Sequence, residues 1–186
     1  MVKHARIAAV ILICSTAILM LATPRPAGAA SVAGVEGDAE AALEALYTKT
    51  PAAKALGAKA KGILVFPNIV KAGFLVGAQY GEGVMFKGGQ NAGNYRVTAG
   101  SYGLQAGAQK FGYAMFLMTD SAMDYLEKSA GWEIGVGPSV VVVDQGKART
   151  LTTTTAQSDV YAFIFGQKGL MAGLGLQGSK ITRVNR

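Results

Sequence analysis

The sequence predicts an α+β fold: a strongly curved, Gly-rich, mostly antiparallel sheet, or a partly closed small barrel, with N-terminal helices and one further helix packed on it. Three observations predict it. Helical spacing of apolar residues is confined to short stretches near residues 38–61 and 119–130. Alternating or β-branched runs fill most of the remainder. Glycine occurs 25 times in 186 residues, roughly twice the usual ~7%, without a Gly-X-Y period. A hydrophobic share of 51% excludes an intrinsically disordered chain.

The first 30 residues are a different material. Lys3, His4 and Arg6 give a basic start, Ile7 to Ala22 is an apolar run, and Ala27-Gly28-Ala29 is a small-residue cleavage pattern. That order is a secretory signal peptide, removed after Ala29 or Ala30. The run is short for a membrane span, which needs ~20 apolar residues. Ile13 precedes Cys14, where a lipoprotein site wants a small residue. The expected organisation is a removed leader over 1–30, a flexible stretch over 31–37 and a single domain over 38–186, exported to the periplasm or cell envelope or secreted beyond it.

Removal of the leader changes the chemistry available. It leaves 15 of the 18 basic residues against all 11 acidic ones, a net charge of +4 in place of +7. The only histidine, His4, and the only cysteine, Cys14, leave with it. A mature chain without either residue has no disulfide, no His/Cys zinc or haem site and no Ser-His-Asp or Cys-His catalysis. No cofactor or metal is expected, and no enzymatic activity. Glu82, between Gly81 and Gly83, is the one carboxylate whose setting suggests a raised pKa, or equally a bond to backbone amides at a bulge.

Asp38 to Lys49 reads as a helix with Ala39, Ala42, Leu43, Leu46 and Tyr47 on one stripe. Thr50-Pro51 supplies an N-cap and a first-turn proline for a second helix, which Gly62 ends. Ile63 to Phe66 is a short buried strand stopped by Pro67. From Ala72 to Phe86 the residues alternate: Gly73, Gly77, Gly81 and Gly83 on one parity, Phe74, Val76, Ala78, Tyr80, Glu82, Val84 and Phe86 on the other. Residues 87–94 form a turn, and Tyr95 to Met118 returns as strand. Thr119 to Ala130 is a helix with a capping-box-like Ser121/Asp124 pair and Gly131 as its stop. Trp132 to Val143 is strand, with Val140 to Val143 buried on both faces. Strands follow over 148–155 and 160–165, a turn over 166–169, a run over 170–176 and a last short strand over 181–184.

Gly-x-x-x-Gly recurs at Gly73/Gly77, Gly103/Gly107, Gly131/Gly135 and Gly169/Gly173. On a strand, residues four apart share a face, so each unit predicts a glycine groove and a close approach of another backbone. Gly173-x-Gly175-x-x-Gly178 matches a dinucleotide fingerprint formally, but only eight residues follow it, too few for the required acidic partner.

The stretch Ala60-Lys-Gly-Ile-Leu-Val-Phe-Pro67, followed by Lys71-Ala-Gly-Phe-Leu-Val-Gly-Ala-Gln-Tyr-Gly-Glu-Gly-Val84, resembles the SYLF domain family. Gly100-Ser-Tyr-Gly-Leu-Gln-Ala-Gly-Ala-Gln109 and Lys168-Gly-Leu-Met-Ala-Gly-Leu-Gly-Leu-Gln-Gly178 extend the resemblance to residues 38–184. It implies phospholipid binding, in eukaryotic members of phosphoinositides, aided by a basic amphipathic N-terminal segment. Some eukaryotic members also bind actin filaments. For an exported bacterial chain the general lipid affinity is what carries over.

The residues support that reading independently. Lys49, Lys54, Lys59, Lys61 and Lys71 fall within 23 residues, and each lysine held near an anionic membrane contributes about 1 kcal/mol. The expected function is weak, reversible association with anionic phospholipid surfaces through this basic N-terminal helical region, with those five lysines as the lipid-binding residues. The alternatives are a structural or envelope-associated protein with no lipid ligand, and a small outer-membrane β-barrel. Nucleic acid is not an expected partner at +4; self-association stays open.

Overall fold

The computed structural model describes residues 32–102, 107–143, 157–169 and 178–185. The predicted signal peptide, the strand over 148–155 and the run over 170–176 lie outside the described residues, as do Gly103 and Gly173 of the repeated glycine units.

Long alternating segments build one eight-stranded sheet. In chain order its strands are β1 (Gly62–Gly73), β2 (Val76–Lys87), β3 (Gln90–Tyr102), β4 (Gly107–Leu117), β5 (Trp132–Glu133), β6 (Val140–Val143), β7 (Val160–Gly169) and β8 (Lys180–Val184). Their spatial order is β5-β8-β3-β2-β1-β4-β7-β6. Every pairing is antiparallel except β6 with β7. The sheet curls into a half-barrel, as the α+β reading with a strongly curved sheet expects. Helix α1 (Val32–Lys49) and helix α2 (Pro51–Gly57) precede it, and α3 (Asp120–Lys128) connects β4 to β5.

Each face of the sheet carries its own apolar cluster. On the concave face Leu64, Phe66, Tyr95, Tyr113, Met115 and Trp132 pack with Met123 and Leu126 of α3. On the opposite face Val65, Val84, Phe86, Phe116 and Phe163 pack under Val35, Ala39 and Leu46 of α1 and Ala53 and Leu56 of α2. The expected stripe of α1 therefore faces the sheet. Burial of Val35 also explains why this helix begins at Val32, within the stretch read as a flexible leader. Helix α2 ends at Gly57, ahead of the expected Gly62, because Gly62 already belongs to β1.

Two bulges bend the sheet at one level. Pro67 does not stop β1. The strand runs on to Gly73, and its register shifts between Phe66 and Ile69. A proline cannot donate to a ladder, so a bulge is where a strand tolerates it. On β7, Gly112 faces Phe165 but Lys110 faces Lys168, so Gly166 and Gln167 stand opposite one residue. Gly166 has φ +63, the left-handed conformation at which glycine serves a bulge. The expected turn over 166–169 is thus a bulge inside a continuous strand.

Two further segments differ from expectation. The run from Ala72 to Phe86 is broken at Phe74-Leu75, where β1 turns into β2. Gly73 and Gly77 face each other across that hairpin, and a Cβ on Gly73 would strike the Gly77 backbone. The Gly-x-x-x-Gly unit here clasps two strands and does not groove one. Val140 to Val142 are only half-buried, because β6 is the sheet's edge among the described residues.

Candidate functional site

The five lysines singled out by sequence do not form one patch. Lys49 ends α1, Lys54 lies on α2, and Lys59 and Lys61 occupy the link to β1; all four are exposed. Lys61 pairs with Asp120 at 3.3 Å, an exposed contact of little energetic weight. Lys71 lies ten strand positions further along β1, about 30 Å away at 3.3 Å per residue, at the hairpin end of the sheet.

Beside the first group lies a groove of about 520 Å³, lined by Glu40, Leu43, Glu44, Tyr47, Ile63 and Phe86. Burial, then the neighbouring Glu44 carboxylate, pushes the Tyr47 phenol above its ordinary pKa. Two glutamates on the wall give this groove the wrong sign for a phosphate. Among the described residues no cluster of His, Cys, Asp or Glu could hold a metal ion.

The hairpin end offers a different surface. Register places one residue from each of six neighbouring strands opposite the next: Lys180, Thr98, Tyr80, Val70, Lys110 and Lys168, on β8, β3, β2, β1, β4 and β7 in turn. Directly opposed residues share a face, and this is the face that α1 and α2 cover at the other end. Here no described element covers it: Val70 and Tyr80 are 51% and 47% exposed, and Lys110, Lys168 and Lys180 are exposed. Lys110 stands directly across from Lys168, although like charges directly opposed weaken a sheet. The bulge at Gly166 produces that apposition.

At the β5 end of the row the exposed Glu133 stands directly opposite Lys180; Glu82 and Asp38, also near it, are engaged. Glu82 Oε1 accepts from the Tyr80 hydroxyl at 2.9 Å and lies 3.6 Å from Arg96. The Arg96 guanidinium also sits 5.6 Å from the centre of the Tyr80 ring. Asp38 accepts from Asn68 at 3.3 Å. Glu82, the carboxylate suspected of unusual chemistry, is thus the acidic member of a Tyr80–Glu82–Arg96 cluster.

Behind the row, on the concave face, Lys71 is paired in register with Gln79 and Gln109. Both glutamines are buried, and Gln79 Nε2 donates to Ser179 at 3.5 Å. Above the row the chain turns at Phe74-Leu75-Val76, which are 69%, 54% and 62% exposed. Sequence reasoning missed Lys110, Lys168 and Lys180 because they are scattered along the chain. Only strand register brings them together, and the signal available was Lys110 and Lys168 interrupting apolar strands.

Residues 98–186 match the Ysc84 family model, described as Las17-binding protein actin regulator. The match includes β4, β7, β8 and four of the six residues in the row, Thr98, Lys110, Lys168 and Lys180. No curated protein matches the chain in sequence.

Proposed function

We propose, from the match of residues 98–186 to the Ysc84 (SYLF) family model, that the chain is an exported, non-catalytic domain that associates with anionic phospholipid surfaces. The observation that carries the reading is the basic row that no described element covers, with Lys110 and Lys168 opposed and Val70 and Tyr80 exposed between lysines. Opposing two lysines costs the fold stability. A phosphate-rich surface offsets that cost by supplying the missing counter-charge. The affinity this supports is small. Lys180 already faces Glu133, so Lys110 and Lys168, at about 1 kcal/mol each, give roughly 2 kcal/mol, less than the ~4 kcal/mol of millimolar binding. Binding is therefore reversible and salt-sensitive. The lysines of the helical region, Lys49, Lys54, Lys59 and Lys61, remain candidates for a second, weaker contact.

The packing of α1 and α2 supports this reading over that of an outer-membrane barrel. A lipid-embedded wall presents a continuous apolar band outward, whereas here two helices sit on the sheet and a lysine row crosses it.

Vesicle co-sedimentation of the chain from Ser31 onward tests the proposal. The described cores draw on residues from Val35 onward, so this chain retains them. Sedimentation with phosphatidylglycerol vesicles, weakening as salt is raised, and none with phosphatidylcholine, is the expected result. Lys110→Glu with Lys168→Glu abolishes it, and Lys54→Glu with Lys59→Glu weakens it less. Equal binding to both lipids, or binding indifferent to salt, overturns the electrostatic mechanism.

A further inference from the structure

We propose that the β1–β2 hairpin tip, Phe74-Leu75-Val76, enters the bilayer interface, so that the domain stands with its sheet end-on against the membrane. The inference rests on the anionic-membrane reading above and adds its anchor and its orientation. Turns between strands ordinarily carry glycine, asparagine, aspartate or serine, and the β2–β3 turn here does, at Gly88-Gly89. The β1–β2 turn instead carries three consecutive large apolar residues, each more than half exposed. Neither apolar cluster of the sheet includes them. The close apposition of Gly73 and Gly77 narrows the hairpin at its neck. The Phe74 amide donates to the Val76 carbonyl at 3.3 Å within the tip, which lowers the cost of taking that backbone out of water.

Charge identifies the occupant. The strand segments surrounding the tip, residues 70–80, 107–113 and 163–169, contain Lys71, Lys110 and Lys168 and no aspartate or glutamate. Phe74 lies four positions beyond Val70, so the apolar tip projects about 13 Å past the lysine row. Interfacial insertion reaches ~5–10 Å into the boundary between headgroups and acyl chains. Seating the tip at that depth leaves the lysines at the level of the phosphates, within reach of their flexible side chains. A second copy of the chain is a poorer occupant, because joining tip to tip would bring two lysine collars together.

Phe74→Trp reports on the tip directly. Trp132 is fully buried, with its indole N–H donating to Val136 O at 3.1 Å, and supplies a constant background. In the chain from Ser31, phosphatidylglycerol vesicles should shift the new emission to the blue. Bromine near the top of the acyl chains should quench it. Phe74→Ser with Leu75→Ser and Val76→Ser should lower vesicle partitioning on the order of tenfold or more without moving the thermal midpoint. Persistent phosphatidylglycerol binding with an unquenched tip and an unaffected triple variant overturns the insertion and leaves the surface reading standing. Absence of any phosphatidylglycerol binding overturns both. A triple variant that loses self-association in sedimentation velocity, with vesicle binding intact, overturns insertion and assigns the tip to a second copy.

Discussion

Two glycines separate packing from mere occurrence. A Cβ on Gly83 would strike the Val65 carbonyl of the neighbouring strand and approach the Phe66 ring. The carbonyl is fixed in the β1–β2 ladder and cannot move aside. Gly100 on β3 has nothing within 4 Å of the same position. Gly83→Ala should therefore lower stability by about 1–3 kcal/mol, while Gly100→Ala should be neutral or raise it by up to ~1 kcal/mol through reduced freedom of the unfolded chain. Urea denaturation of the two variants checks this; equal effects would mean that glycine serves strand geometry generally and not close approach. The parity that placed Gly81 and Gly83 together was legible in the sequence. The atom each one faces was not, since Val65 and Gly83 meet only through the bulged register of β1.

At the scale of elements, one carboxylate ties three together. Asp159, just ahead of β7, accepts from the Ser139 amide at 3.0 Å and the Ser139 hydroxyl at 2.9 Å, beside β6. It also accepts from the Thr119 hydroxyl at 3.2 Å, and Thr119 caps α3 by accepting from the Ala122 amide. The Ser139 amide first, then the Ser139 hydroxyl, and to a smaller extent Thr119, hold the Asp159 carboxyl below its usual pKa, against a partial opposing effect of burial. A carboxyl depressed in the folded state contributes stability above the unfolded pKa and loses it as pH falls through the folded one. Asp159→Asn should therefore lower the urea midpoint at pH 7 and flatten its decline between roughly pH 5 and pH 3. An unchanged acid profile would remove Asp159 from the account. Thr119→Ala should cost about 1 kcal/mol through the lost cap. The sequence located this helix within two residues but assigned its cap to Ser121, whose hydroxyl instead meets that of Thr119 at 3.0 Å. Hydrophobic period locates a helix; the choice between adjacent hydroxyls depends on where Asp159 arrives from 40 residues away. The same limit hid the site. The parity of Val76, Tyr80, Val84 and Phe86 was readable, but not that α1 and α2 cover the last two and leave the first two bare.

For the whole molecule, the boundary of family similarity and the boundary of the fold do not coincide. The match begins at Thr98, inside β3, and the strands it contains are held by strands it omits. Along its whole length β4 pairs with β1, and β8 pairs with residues 94–98 of β3. The apolar cluster beneath α3 likewise takes Leu64, Phe66, Met85, Tyr95 and Val97 from outside the match. A chain restricted to residues 98–186 would expose the concave faces of β4 and β7 and leave the edge of β4 unpaired, an open template for aggregation. We expect that fragment to lack cooperative thermal unfolding and dispersed amide resonances. Adding a second fragment covering residues 31–97 should restore both, because it brings β1, β2, most of β3 and the two helices that cover the opposite face. A fragment 98–186 that unfolds cooperatively alone would show that the C-terminal half closes its own core, and would move the basis of the fold away from the β1–β4 seam.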